Sequence, residues 1–332
     1  MQTTPLTSAD ALTETPLVDR MELTVAARTV VADAVVELTL THPEGFNLPE
    51  WSPGAHLDLV LDEGGLVRQY SLCGDPNDRT TYRVAVLREP ESRGGSQAVH
   101  DNLTVGGVVG IQGPRNNFEL VDALEYLFVA GGIGITPLVP MIAEVEARGI
   151  PFRLVYGGRA RASMAYVEHL ESRYPGRVEV CPQDQLGHLD LPGILGEHRP
   201  GRLVFTCGPS PLLDAIESYC AGWPSGAVNM ERFRAKEPDP AAVDTAFEVE
   251  LALTGVTVTV PADRSILDVV EEAGASVLTS CREGTCGSCE TPILEGEADH
   301  RDSLLTQEEK DAQETMFICV SRSCSPRLVL DL

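Results

Sequence analysis

At 332 residues the chain exceeds one typical domain, and with 43% hydrophobic and 23% charged residues it can bury a sizeable core without disulfide staples. A formal net charge of −25 excludes nucleic acid as a partner, because phosphates would be repelled. No apolar run approaches the roughly 18 residues of a membrane-spanning helix. The opening MQTTPLTSADALTETPLVDR has neither the basic start nor the apolar run of a signal peptide, so a cytoplasmic protein is expected.

Residues 21–122 carry short alternating apolar runs, at 23–25, 56–61, 82–87 and 108–112, broken by Gly, Pro and Asn. That texture predicts an antiparallel barrel or sandwich. Residues 123–233 alternate differently: an apolar strand at 126–130, a helix at 136–148, a strand at 153–156, then a strand at 203–207 before a helix at 211–220. Strand–helix–strand alternation predicts a doubly wound parallel sheet with crossover helices. The polar, proline-containing stretch 234–246 reads as a linker. Beyond it, 247–253 and 256–260 form a hairpin across Thr254-Gly255, and 265–273 reads as a helix with Ile266, Leu267, Val269 and Val270 on its apolar side.

This last third is also the most acidic, with 20 acidic and six basic residues from Glu237 onward. A solvated surface accounts for that, and so does an acidic face that steers a basic partner.

CREGTCGSC places Cys281, Cys286 and Cys289 in one loop, with Cys319 farther on. The C-x4-C-x2-C…C spacing is the one plant-type ferredoxins use for a [2Fe–2S] cluster. Gly284 and Gly287 let the loop fold close, so that its N–H groups reach the sulfurs. Four thiolates also suit tetrahedral zinc, although zinc ribbons pair two C-x2-C knuckles and only one short pair exists here. Cys324 competes with Cys319 as fourth ligand; Cys319 ranks first because FICVSR reads as a strand end. Cys73, Cys181, Cys207, Cys220 and, failing ligation, Cys324 default to small buried hydrophobes.

Three further motifs suit phosphates and rings. Arg68-Gln69-Tyr70-Ser71 offers a cationic fork, a flat face and a hydroxyl at a strand end. Gly94-Gly95-Ser96 is a turn able to aim N–H groups at an anion. Gly131-Gly132-Ile133-Gly134-Ile135-Thr136-Pro137 follows a strand and opens a helix, where a pyrophosphate can approach. Cys207-Gly208-Pro209 ends a later strand where a doubly wound sheet places its ligand crevice. Each alone is also consistent with a plain turn.

Taken in order, RQYSLC, GGS, GGIGITP, CGP and CREGTCGSC, together with WPSG at 223–226 and GEADHRDS at 296–303, resemble the phthalate dioxygenase reductase family over residues 22–332. The resemblance implies a flavin-binding β-barrel at 21–122, an NAD(P)H-binding α/β domain at 123–233, and a β-grasp ferredoxin domain at 247–332. It also implies FMN, NADH oxidation, and single-electron delivery to a Rieske-type oxygenase, with a cytochrome P450 as the alternative acceptor and a zinc-stabilised binding protein as the non-enzymatic one. Carried over by match, Arg68 would bind the FMN phosphate with Gly94, Gly95 and Ser96, and Gln69, Tyr70 and Ser71 would lie by the ring. Ala85, Val86 and Leu87 would line it, with Phe233 beside it. Gly131, Gly132, Gly134 and Thr136 would approach the nucleotide, and Ser71, Thr136 and Cys207 would serve the reaction.

Gly74 departs from the polar residue usual in the family. Arg159 and Arg161 stand where a 2′-phosphate of NADPH is clamped, against the family's habit of NADH. Hydride transfer needs no acid–base residue, so the seven histidines, His300 included, are expected to be structural or exposed. A monomer docking its oxygenase near the cluster loop, through Glu283 and Glu290, completes the expectation.

Overall fold

The computed structural model describes residues 20–62, 66–90, 94–236 and 244–332. The first nineteen residues and most of the expected linker at 234–246 lie outside these.

Strands β1 (Met21–Ala32), β2 (Val35–Thr41), β3 (His56–Val60), β4 (Val67–Ser71) and β5 (Tyr82–Leu87), helix α1 (Gly95–Asn102) and strand β6 (Val108–Arg115) make the first unit. The six strands form one sheet in the order β4-β3-β6-β1-β2-β5, and a bridge from Leu72 to Val84 brings its two edges together as a barrel. Alternation decides which face each side chain takes. Val36, Leu38 and Leu40 on β2, with Tyr82, Val84 and Val86 on β5, fill the barrel core. Val35, Ala85 and Leu87 face the other way and join the core of the next unit.

The second unit runs β7 (Glu125–Gly131), α2 (Leu138–Ala147), β8 (Phe152–Gly158), α3 (Val167–Arg173), β9 (Val178–Pro182), the short α4 (Gln183–Leu186) and α5 (Leu191–Leu195), β10 (Arg202–Cys207), α6 (Ser210–Cys220) and β11 (Val228–Glu231). All four strand pairs are parallel, in the order β11-β10-β7-β8-β9. Helices α2 and α3 cover one face and α5 and α6 the other. The order reverses between β7 and β10, which is where such a sheet opens its ligand crevice. The helix expected from Thr136 starts only at Leu138. A 3-10 turn at Gly132–Ile135 takes its place, because the Thr136 N–H is returned to Ile133 O at 3.1 Å and Pro137 caps the helix.

The third unit comprises β12 (Phe247–Leu251), β13 (Val256–Val260), α7 (Ile266–Glu272), β14 (Glu290–Glu295), β15 (Ala298–Asp299), α8 (Gln307–Ala312), β16 (Thr315–Phe317), β17 (Arg322–Ser323) and β18 (Arg327–Leu330). Its main sheet is ordered β13-β12-β18-β14-β16, with β12 and β18 parallel. Ser265 caps α7 by accepting the Asp268 N–H at 3.1 Å, and Ile266, Leu267, Val269 and Val270 are buried against the sheet. Among the described residues no helix is long and apolar enough to cross a membrane.

Candidate functional site

Where β4 and β5 meet the 3-10 turn after β7, the fold leaves a cleft of about 810 Å³, open solvent at its mouth included. Arg68, Gln69, Tyr70, Ser71, Ala85, Leu87, Ser96, Thr136 and Phe233 line it, together with Glu89, Ile133 and Arg234, which the sequence did not single out. Val86 does not: strand alternation turns it into the barrel core, 1% exposed, so only Ala85 and Leu87 of that run reach the cleft. Ser71 Oγ is buried and finds no hydrogen-bond partner. An orphaned hydroxyl at the cleft wall suits a polar ring edge of a bound ligand. Burial also raises the Tyr70 hydroxyl above its ordinary pKa, against the pull of Arg68, and keeps it protonated.

At one end of the cleft, Gly94 takes a left-handed conformation at φ 90° and caps α1. A Cβ on Gly95 would stand 2.3 Å from Arg68 Cγ, so this glycine is what seats the arginine beside the helix start. Arg68 Nη1 donates to Val67 O at 2.7 Å, and Ser96 Oγ accepts the Glu89 N–H at 3.1 Å. A helix start with no acidic residue in its first turn, beside a guanidinium, suits a phosphate. The residues present fit a flavin mononucleotide.

The crevice between β7 and β10 adjoins this cleft through Ile133 and Thr136. Its glycines serve two different ends. A Cβ on Gly134 would fall 2.3 Å from Cys207 O, and one on Gly131 would fall 2.6 Å from Pro209 Cδ, so both are consumed in packing the two strand ends together. Only Gly132, at φ 55° with nothing within 4 Å of its missing Cβ, faces open space. Thr136 Oγ1 donates to Ile133 O at 3.0 Å, which leaves it only the role of acceptor toward a ligand in the cleft it lines. Cys207 is fully buried behind the wall, with Sγ 3.8 Å from Glu231 Oε2. Glu231 went unread in the sequence because only the pairing of β11 with β10 sets it beside Cys207. Burial pushes its carboxyl up to about 8, against the pull of Cys207 and of the nearby Ser71 hydroxyl, which does not close a hydrogen bond to it.

The cysteine loop is built on three left-handed residues, Arg282, Gly284 and Gly287. A Cβ on Gly284 would meet Val320 Cγ2 at 2.5 Å, and one on Gly287 would press on Asn117. This folding turns the Glu283 N–H to Cys281 Sγ at 3.2 Å and the Ser288 N–H to Cys286 Sγ at 3.5 Å. Cys281 interacts with Cys286 and Cys319, and Cys289 with Cys319. Those neighbours hold the Cys281 thiol down and drive Cys286 and Cys319 up. Cys319 sits in the turn after β16, not on a strand end, whereas Cys324 is exposed and stands by Glu297. Among the described residues no set of three or more ligating side chains closes around a single metal ion. Four converging sulfurs with backbone N–H groups aimed at them fit a [2Fe–2S] cluster.

The cluster loop and the flavin cleft are neighbours. A second crevice runs from Arg68, Gln69 and Phe233 to Cys281, Glu283 and Thr285. Gln69 Nε2 bonds to Asp58 Oδ1 at 3.2 Å and Ser280 Oγ at 3.4 Å, and Asn117 Nδ2 donates to Cys286 O at 2.8 Å. Behind them lies the buried Asp58–Arg115 pair at 2.6 Å. Burial and Arg115 bring the adjacent His56 down to about 4, so it is neutral. The His300 side chain is also buried, and neither ring nitrogen makes a hydrogen bond, with Nδ1 4.0 Å from Asp302 Oδ2. Glu283 lines this crevice and is partly exposed, and Glu290 is exposed.

Residues 249–324 match the 2Fe-2S iron-sulfur cluster binding domain. Over 314 residues the chain is 42% identical to the putative toluene-4-sulfonate monooxygenase system reductase subunit of Comamonas testosteroni, covering 93% of this chain and 98% of the relative. It is 38% identical to phthalate dioxygenase reductase of Burkholderia cepacia, covering 94% and 97%. A solved phthalate dioxygenase reductase matches with a TM-score of 0.68 at 37% identity, over 94% of this chain and 98% of that one. An intact type IV self-sufficient cytochrome P450 monooxygenase matches with a TM-score of 0.88 at 41% identity, over 94% of this chain and 41% of that larger protein.

Proposed function

The chain belongs to the phthalate dioxygenase reductase family, and on that premise we propose which of its residues carry the work of an oxygenase reductase. It is an oxidoreductase that binds FMN and a [2Fe–2S] cluster, oxidises NADH and supplies an oxygenase component with electrons. A bound flavin accepts an electron pair from a nicotinamide and releases it singly, which a cluster of this type requires. The protein's part is placement. Arg68 and the N-terminus of α1 hold the FMN phosphate; Tyr70, Ser71, Ala85 and Leu87 hold the ring. Gly132 and Thr136 admit the nicotinamide, and Cys281, Cys286, Cys289 and Cys319 ligate the cluster.

The crevice that joins Arg68, Gln69 and Phe233 to Cys281 carries this reading, since it leaves the two electron carriers as neighbours. The test is a visible spectrum of the pure protein before and after anaerobic NADH. Flavin and cluster absorption, both bleached, are expected, and the denatured protein should release FMN on chromatography. A colourless protein that binds zinc would overturn it.

NADH is expected to be favoured over NADPH. Glu171 engages both Nη atoms of Arg161 and takes it out of use as a 2′-phosphate clamp, although Arg159 remains exposed. A kcat/KM for NADPH above that for NADH would refute this.

The acceptor is read as a Rieske-type oxygenase. A cytochrome P450 is the second reading, favoured by the match to the self-sufficient P450. Reconstituted turnover with each decides between them. In either case the acidic unit docks on a basic surface. All five of its arginines are already paired with its own carboxylates, so the surplus negative charge stands uncompensated. Attraction of this kind chiefly speeds encounter and is screened over about 10 Å at 0.1 M salt. Transfer to the oxygenase should slow as ionic strength rises, while NADH oxidation with a small neutral acceptor stays constant. Glu290→Lys should flatten the salt dependence, whereas a salt-independent wild type would refute docking by charge.

A further inference from the structure

A third cluster of polar groups joins the first two units away from both clefts. Tyr166, just before α3, has φ 63° and ψ 10°, a left-handed conformation that a bulky side chain rarely adopts. Its hydroxyl donates to Glu37 Oε2 on β2 at 2.8 Å, and Cys73 Sγ lies 3.4 Å from it. Burial raises the phenol and the thiol, Cys73 to about 12, so both keep their protons. A few residues earlier the Asp33 N–H, between β1 and β2, donates to Ala162 O at 2.8 Å. The loop leaving β8, residues 159–166, is thus pinned to the barrel through Asp33, Glu37 and Cys73.

What these points touch matters. Glu37 pairs with Ala85 and Val35 with Leu87, so the carboxylate that Tyr166 grips belongs to the same face of the β2–β5 pair as the flavin wall. On the other side, β8 sets the nucleotide crevice: Gly157 pairs with Gly131, and Tyr156 OH donates to Gly132 O at 3.0 Å. One short loop therefore ties the strand behind the flavin to the strand beside the nicotinamide crevice. Transfer between two bound rings is steep in their separation, and a misplacement near 1 Å costs about 100-fold.

We propose that Tyr166 is a positioning residue: through Glu37 it fixes the nucleotide crevice in register with the flavin cleft without touching either ligand. This rests on the reading that the cleft holds flavin and the crevice nicotinamide. The test compares Tyr166→Phe, Glu37→Gln, Glu37→Leu and the double variant Tyr166→Phe/Glu37→Leu, each with flavin and cluster loaded. Tyr166→Phe should slow flavin reduction by NADH about ten-fold or more. It should also weaken the long-wavelength absorbance that stacked nicotinamide produces when NAD is added, with flavin content unchanged. Glu37→Gln keeps an acceptor oxygen and should behave as wild type. Glu37→Leu should repeat the loss, and the double variant should lose no more than either single change.

Amide exchange across residues 159–166 in the flavin-free protein should quicken in Tyr166→Phe, a readout independent of activity. If Tyr166→Phe does not fold, Glu37→Leu decides alone. Wild-type reduction rates and absorbance in the variant that folds would overturn the proposal, even if its melting temperature fell. A wild-type protein without flavin would instead overturn the functional reading beneath it.

Discussion

Cys286→Ser is expected to remove the cluster's visible absorption and to reduce electron delivery to a one-electron protein acceptor to background, while NADH reduces the flavin at the wild-type rate. Cys286 is 2% exposed and interacts with Cys281, so a hydroxyl there cannot replace a soft ligand to iron. The change leaves the loop's seat on the barrel intact, because Asn117 grips the backbone carbonyl of Cys286 and not its side chain. None of the groups that wall the flavin cleft belongs to the cysteine loop. The two halves of the relay therefore separate in one variant. If it still reduced the protein acceptor at the wild-type rate, the route through these cysteines would be wrong. If flavin reduction also collapsed, the loop would be needed to shape the cleft as well.

Legibility in the sequence followed the range of the interactions. The cysteine loop was readable because three sulfurs and their left-handed hinges lie within nine residues. The order of strands was readable because Gly and Pro interrupt the barrel while crossover helices follow the parallel strands. The faces were not. Ala85, Val86 and Leu87 read as one lining run until β5 was paired with β2 and alternation sent Val86 inward. The glycines of GGIGITP read as a phosphate motif, yet Gly131 and Gly134 answer to a strand end more than seventy residues later. Tyr166 and Glu231 carry no local signal. One depends on a barrel strand 129 residues away, the other on its partner strand β10.

Glu231→Gln should show that the carboxyl of this half-buried residue is held protonated by the fold. Its folded pKa of about 8 stands above the ordinary 4.5, chiefly through burial. A carboxyl raised in the folded state binds its proton more tightly there than in the unfolded chain, so stability is complete below about pH 4.5 and is lost as pH rises toward 8. At about 1.4 kcal/mol for each pH step between those two values, the ionised form costs on the order of 5 kcal/mol at alkaline pH. Gln keeps the shape and can accept the Cys207 thiol, but it has no proton to lose. The two proteins should therefore melt together near pH 4.5, with the variant melting progressively higher as the pH rises toward 8 and the gap constant above it. Differences between the curves are what count, since every other titrating group is common to both. A melting difference independent of pH would mean that Glu231 is already ionised in the folded protein. Ser71 would then face a charge at the flavin wall, where the raised pKa implies a neutral acid at pH 7.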